Sequence, residues 1–220
     1  MHRRGRRLAG LLSVSDYWSI PEGVDPDWQG RRGFADELRR LARQALVAEG
    51  ADWTALIASL KAVQLPEGRT SRQAWSDASY HDTPAKFTDR GAMMGRCNVI
   101  APPLHPTFDD GTSTCRLTLD ERYVGAPGMS HGGIVAAIFD QMLGHCVVMH
   151  DVGALTTELT IRYRRPVPLH RPVVFTAGGL SRDGRLVRLS GQCHDGETLL
   201  AEARAVFVQL KQGWQPPKEA

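Results

Sequence analysis

One stretch of the sequence, SHGGIVAAIFDQMLGHC at residues 130–146, constrains the fold more strongly than any other. Two glycines follow His131, and then come a dozen mostly apolar residues with a single carboxylate, Asp140, among them. The run is apolar nearly all round, which predicts a long helix that is covered on several sides rather than one that lies on a surface. The two glycines stand where this helix is expected to begin.

Alternating apolar and polar residues predict strands on both sides of the helix. Before it, STCRLTLD at residues 113–120 alternates as a strand with one buried face does. After it come four further runs of this kind, LTTELTIRYRRPV, RPVVFTAGGLS, LVRLSGQC and LLAEARAVFVQL. The turn signals RDGR and HDGE separate the last three, which are therefore expected to form an antiparallel meander. The predicted fold class is α+β, with one long helix against an antiparallel sheet.

The N-terminal part of the chain predicts helices instead. FADELRRLARQALVAEG places Phe34, Leu38, Leu41 and Ala45 on one apolar helical face, and Gly50 is expected to end this helix. DWTALIASLKAV repeats the pattern, and the polar segment that follows, broken by Pro and Gly, is typical of a connector.

The change of pattern predicts how the chain is divided. We expect a helical extension with its linker over residues 1–85, a core domain over 86–212 and a tail over 213–220. The extension could cover a binding cleft, enlarge a dimer or bind a partner, and its sequence does not choose among these.

Composition and charge narrow the class of protein. The four cysteines are widely scattered without metal-ligand spacing, so we expect free thiols in a reducing compartment and no metal site. The net charge is only +3 and the arginines are dispersed, which disfavours nucleic acid as a partner. The apolar part of the basic N-terminus is short for a signal peptide, and Gly, His or Asp interrupts every longer apolar stretch. A cytoplasmic protein that does not bind membranes is expected.

Asp140 is the first candidate for chemistry. Residues 132–149 contain no lysine or arginine, and an unpaired buried carboxylate costs several kcal/mol or becomes neutral. Asp140 therefore either meets a partner from elsewhere in the fold or lines a cleft as a catalytic acid. The alternative is a structural aspartate that caps a loop or binds a backbone amide across an interface.

The HGG sequence adds a second candidate feature. The first amides of a helix have no partner within the helix and lie at its positive dipole end, so they can bind a carbonyl oxygen that develops negative charge. Glycine also lets a ligand approach the backbone closely. The glycines could instead serve only the turn, and His131 could orient the loop or bind a substrate carbonyl.

Taken together, these residues resemble the hotdog-fold thioesterase superfamily. The resemblance covers residues 95–210 and is greatest to the phenylacetate-degradation-type branch, which includes the mammalian thioesterase-superfamily acyl-CoA hydrolases. The segment GRCNVIAPPL at residues 95–104 also resembles the lead-in strand of actinobacterial members. The resemblance rests on Gly125, Pro127, Gly128, His131, Gly132, Gly133, Asp140, Gly144 and the strand sequence TTELTIRYRRPVPL.

The resemblance implies both an architecture and a site. It implies a curved sheet around the helix and a homodimer, able to pair into a homotetramer, with active sites at the subunit interface. Asp140 matches the acid of the family. The amide of Gly132 matches the oxyanion donor, with Gly133 adjacent in the substrate site and His131 touching the thioester carbonyl.

The strand after the helix supplies the remaining implied residues. Thr156 matches a threonine that assists the acid, and Thr157 competes for this role if the strand slips by one residue, because a slip changes its face. Coenzyme A carries phosphates, so Arg162, Arg164 and Arg165 are candidates to bind them. These arginines could equally be solvated residues at the edge of the sheet.

The implied activity is hydrolysis of an acyl-CoA to a free acid and CoA, in fatty acid metabolism and without any cofactor beyond the CoA of the substrate. Asp140 would act as general base on water or as nucleophile through a mixed anhydride. Two alternatives are a non-catalytic acyl-CoA-binding or regulatory domain and, on the same fold, a hydratase. The sequence does not indicate the length of the acyl chain.

Overall fold

A computed structural model describes residues 26–66 and 88–211 of the chain. These residues fall into two compact units, a helical unit of residues 26–66 and 88–100 and a sheet unit of residues 101–211. Residues 88–100, which the sequence placed in the C-terminal domain, thus group with the N-terminal helices.

The helical unit contains the two helices predicted from the sequence. Helix α1 is Pro26–Val47 and helix α2 is Trp53–Lys61. Proline suits the first turn of α1, because its missing amide proton would have no partner there. Between the helices Gly50 adopts a φ of +67°, and the Asp52 carboxylate caps α2 by accepting from the Ala55 amide.

The face of α1 that is buried differs from its predicted apolar face. Phe34 and Leu41 are exposed, whereas Trp28 and Arg32, four residues apart, are buried. Both of these side chains bind the buried carboxylate of Asp89, and Trp28 Nε1 donates to it over 2.8 Å. The orientation of α1 against residues 88–100 therefore depends on polar anchors, which apolar periodicity does not reveal.

The segment 95–104 does not form the predicted lead-in strand. Its first part is folded into turns, because the Gly95 amide donates to the Gly91 carbonyl and the Cys97 amide donates to the Asp89 carbonyl. The expectation for this segment is wrong, and the first strand of the sheet unit starts only at Thr107.

The sheet unit confirms the predicted α+β class, with one antiparallel six-stranded sheet and one long helix, α3. The strand order is β1-β2-β4-β5-β6-β3, so β3 lies at an edge and pairs only with β6. The elements are β1 Thr107–Asp109, β2 Thr112–Thr118, α3 Gly132–Met149, β3 Ala154–Tyr163, β4 Pro172–Asp183, β5 Leu186–Asp195 and β6 Thr198–Gln209.

Both predicted Asp-Gly hairpins are confirmed. Gly184 follows β4 with a φ of +57°, and Gly196 follows β5 with a φ of +56°. Glycine adopts this left-handed conformation at little cost, which allows the tight two-residue connections between these strands.

Helix α3 packs one side on the sheet and leaves the other side partly open. Phe139 lies edge-on to Phe175 of β4, with ring centroids 5.0 Å apart, and the small side chains of Ala201, Ala203 and Ala205 in β6 are buried. The side of α3 that bears Asp140 is only half-buried in the single chain. The helix is long and apolar enough to cross a membrane, but its buried side chains form the centre of this unit.

The cysteines are free thiols, as predicted. Cys115, Cys146 and Cys193 are buried, and Cys97 is partly buried. Burial raises the pKa of Cys97 to about 11 and that of Cys193 to about 12. Thiols with such raised pKa values are poor nucleophiles at neutral pH.

Candidate active site

The N-terminus of α3 begins where the HGG sequence predicts. His131 is the N-cap residue, and its Nδ1 atom accepts a 3.0 Å hydrogen bond from the Gly133 amide. The preceding loop approaches this cap closely, since a Cβ atom on Gly125 would lie 2.6 Å from the His131 Cα atom. Glycine at position 125 is therefore required for the loop to reach the helix.

The two glycine amides have different roles. The Gly133 amide is already bound to His131 and is not available to a ligand. The Gly132 amide donates to no group among residues 26–66 and 88–211. It lies at the positive end of the helix dipole, so the donor free to bind a substrate oxygen is Gly132.

Asp140 has a partner from another element, which is one of the two alternatives that its sequence context left open. The Thr156 hydroxyl donates a 2.9 Å hydrogen bond to Oδ1 of Asp140. Oδ2 accepts no hydrogen bond from the described part of the chain. The carboxylate is thus held at one oxygen while the other stays available to a water molecule or a substrate.

A β-bulge determines which of the two adjacent threonines faces Asp140. Thr156 lies opposite Phe207 and Glu158 lies opposite Val206, so Thr157 is the extra residue of the bulge. Its hydroxyl donates to the Val206 carbonyl over 3.0 Å. Because the extra residue reverses the alternation of faces, Thr156 points to the helix and Thr157 binds backbone.

Tyr163, the last residue of β3, also contacts the start of α3. Its hydroxyl donates a 2.7 Å hydrogen bond to the Gly132 carbonyl, and its ring passes close to the Gly132 Cα atom. In the sequence Tyr163 belongs to the alternating strand that contributes to the family resemblance, and no role in the site was predicted for it. Its signal was present, since it shares the inward face with Leu159 and Ile161 and a tyrosine hydroxyl needs a hydrogen-bond partner.

The three candidate arginines do not join this cluster in the single chain. Arg164 forms a 2.7 Å ion pair with Glu202, and Arg162 lies 3.9 Å from the same carboxylate. Glu202 alternates with the buried alanines of β6, which places this pair on the face of the sheet opposite α3. The exposed Arg165 follows the end of β3 and has no acidic partner among the described residues.

A family model described as the thioesterase superfamily matches residues 127–202, the span that holds HGG, Asp140 and the strands after α3.

Two curated relatives are named acyl-coenzyme A thioesterase. The chain is 39% identical over 88 residues to acyl-coenzyme A thioesterase THEM4 of Mus musculus, covering 39% of this chain and 38% of that protein. It is 36% identical over 88 residues to the Xenopus laevis protein of the same name, covering 39% of this chain and 40% of that protein. The chain spans about two fifths of the length of these relatives.

A solved structure shows the same fold. The crystal structure of protein RHA08564, a thioesterase superfamily protein, matches with a TM-score of 0.67 at 23% identity, covering 87% of this chain and 94% of that chain. The hotdog fold implied by the resemblance is thereby confirmed.

Proposed function

We propose that this protein is an acyl-CoA thioesterase that hydrolyses the substrate to a free acid and CoA. The observation that carries the proposal is the Asp140 carboxylate, bound at one oxygen by Thr156 in a mostly apolar helix. The unoccupied Gly132 amide at the start of the same helix supplies a donor of the kind that stabilises an oxyanion. The relatives named acyl-coenzyme A thioesterase supply the substrate class.

The spacing of these two groups argues that each site needs two subunits. Gly132 and Asp140 are eight residues apart on α3, which separates them by about 12 Å along the helix axis. A reacting carbonyl must lie about 3 Å from both the attacking group and the oxyanion donor. We therefore propose that Asp140 of one subunit acts with Gly132 and His131 of another.

The exposed surfaces of the sheet unit support this homodimer. No described residue pairs with the outer edge of β3, and an open strand edge is a template for pairing with another chain. Thr156, on the face of this strand that is turned to α3, is exposed, and the side of α3 that carries Asp140 is half-buried. A second copy packed there would cover both surfaces and could in turn pair into a tetramer.

The mechanism follows from the two half-sites. On one route Asp140 removes a proton from a water molecule, and this water attacks the thioester carbonyl. On the other route Asp140 itself attacks the carbonyl through Oδ2 and forms a mixed anhydride, which water then cleaves. The Gly132 amide and the helix dipole stabilise the tetrahedral oxyanion. Collapse of the intermediate breaks the C–S bond, and the CoA thiolate leaves and takes up the proton held by Asp140 or one from water. A carboxylate, a water molecule and backbone donors suffice, so the proposal requires no cofactor.

The phosphates of CoA need cationic partners. Of the three candidate arginines, Arg165 is the one without an acidic neighbour in the described structure, so its charge is the most available. Arg162 and Arg164 would have to share their charge with Glu202.

The direct test is Asp140→Asn, assayed by thiol release from short, medium, long and aryl acyl-CoAs. We expect kcat to fall on the order of 100-fold or more with unchanged oligomeric state and melting temperature. Retained turnover would remove Asp140 from the mechanism. A wild-type protein that binds acyl-CoA, seen as ligand-stabilised melting, without releasing thiol would show a binding domain instead.

Subunit complementation tests the shared site separately. Asp140→Asn and His131→Ala chains, each nearly inactive alone, are unfolded and refolded as a 1:1 mixture. If each site combines the two chains, half of the dimers are mixed and each has one intact site, which predicts recovery of about a quarter of the wild-type rate. If each site lay within one subunit, no mixed dimer would contain an intact site and no activity would return.

A further inference from the structure

The hydroxyl of Tyr163 is one end of a short chain of hydrogen bonds at the start of α3. It donates to the Gly132 carbonyl over 2.7 Å. That carbonyl belongs to the same peptide group as the Gly133 amide, which donates to Nδ1 of His131 over 3.0 Å. One rigid, planar peptide thus connects the tyrosine to the histidine.

This connection fixes the chemical form of His131. Because Nδ1 accepts a hydrogen bond from the Gly133 amide, it carries no proton, and the neutral ring holds its proton on Nε2. A donor on the carbonyl oxygen polarises the peptide and strengthens the hydrogen bond made by its amide. Tyr163 therefore favours the tautomer in which His131 presents an Nε2–H donor.

The tautomer matters for a substrate that develops negative charge. An Nε2–H group can donate to the thioester carbonyl as it becomes an oxyanion, whereas the other tautomer would present a lone pair and repel it. The Gly132–Gly133 peptide also carries the carbonyl of Gly132, the first residue of α3. The amide of Gly132 is the other proposed oxyanion donor. A shift of this peptide would disturb both oxyanion donors.

Contribution to the core does not explain the position of Tyr163. The side chain is 50% exposed and lies at the end of an edge strand. Tyr123, by comparison, is buried and donates its hydroxyl to the Ala101 carbonyl over 2.8 Å. The two tyrosine hydroxyls make the same type of hydrogen bond, but of the two only that of Tyr163 binds the start of α3. Tyr123 meets this helix through its main-chain carbonyl, which accepts from the His131 amide and is retained when its hydroxyl is removed.

We propose that Tyr163 is a positioning residue of the oxyanion half-site, acting through the Gly132–Gly133 peptide to hold His131 as an Nε2–H donor. This inference rests on the proposed thioesterase function, and it assigns to the strand β3 a contact with each half-site. Thr156 of that strand orients the acid, and Tyr163 orients the donors.

The test compares Tyr163→Phe with the matched variant Tyr123→Phe in thiol release from an acyl-CoA that the wild type hydrolyses. Tyr163→Phe should lower kcat about tenfold, less than the 10²- to 10³-fold loss on removal of an oxyanion donor itself, with KM changed less than about twofold. Tyr123→Phe should lower the melting temperature and leave kcat unchanged.

A spectroscopic readout follows the network directly. The ¹⁵N shifts of the His131 ring should report protonated Nε2 in the wild type and a mixture of tautomers in Tyr163→Phe, together with a moved Gly133 amide resonance. Any of three results in Tyr163→Phe would overturn the role of Tyr163. These are a wild-type kcat, an increase in KM without a change in kcat, and an unchanged His131 spectrum. A wild type that releases no thiol from any acyl-CoA would instead overturn the proposed function, and the role of Tyr163 in that reaction with it.

Discussion

The Thr156 hydroxyl donates a 2.9 Å hydrogen bond to the Asp140 carboxylate across the interface between β3 and α3. This contact depends on the bulge at Thr157, since regular pairing of β3 with β6 would turn Thr156 to the opposite face. The orientation of the proposed catalytic acid is therefore set by an irregularity in the neighbouring strand.

Removing the hydroxyl of Thr156 should weaken catalysis while leaving the fold intact. Thr156→Val keeps the shape of the side chain and releases Asp140, so we expect kcat to fall about 10- to 100-fold. Thr156→Ser should retain most of the activity because it keeps the donor. Thr160→Val, on the opposite face of the same strand, is the control. Equal kcat values in Thr156→Val and this control would contradict the proposed contact.

Much of the fold could be predicted because its signals are local. The apolar run after HGG, the alternating strands and the Asp-Gly turns each depend on neighbouring residues, and all three correspond to observed elements. Asp140 was also identifiable, since a carboxylate without a basic neighbour in an apolar helix needs a distant partner.

Other features depend on contacts that no local pattern contains. Two adjacent threonines look equivalent in the sequence, and only the pairing of β3 with β6 places the extra residue at Thr157. The buried face of α1 similarly depends on Asp89, 57 positions beyond Arg32 in the chain. The strand pattern places Tyr163 on the inward face of β3, but the Gly132 carbonyl that it binds lies 31 positions away in the chain.

A comparison of Gly133→Ala with Gly132→Ala should distinguish an effect on helix propensity from an effect on catalysis. A Cβ atom on Gly133 would lie 3.1 Å from Nδ1 of His131, so the ring must shift by a few tenths of an ångström, which strains its hydrogen bond to the Gly133 amide. A Cβ atom on Gly132 would lie 3.5 Å from the nearest atoms of Tyr163, which is an ordinary van der Waals contact. We expect Gly133→Ala to lose more kcat than Gly132→Ala, although alanine favours a helix at both positions. The opposite order in steady-state kinetics would refute this steric account.

Glycine at position 191 should be required for α3 to approach the sheet. A Cβ atom there would lie 2.8 Å from the Thr176 carbonyl oxygen and 3.2 Å from the Phe139 ring. Gly191→Ala should lower the free energy of unfolding by about 1–3 kcal/mol, as overpacking does. A Cβ atom on Gly33, inside α1, would meet nothing within 4 Å, so Gly33→Ala should instead stabilise that helix by up to about 1 kcal/mol. Urea denaturation of both variants checks this, and equal stabilities would contradict it.

Acid should destabilise the sheet unit through His145. This side chain is buried and shares a 2.8 Å hydrogen bond with Ser113, and burial lowers its pKa from 6.5 to about 4. Between these pH values the unfolded chain binds a proton that the folded chain does not, so stability falls as the pH falls, by roughly 3 kcal/mol in total. The free energy of unfolding, measured with urea at several pH values, should depend less on pH in His145→Gln than in the wild type. An identical slope in the variant and the wild type would exclude His145 as the titrating group.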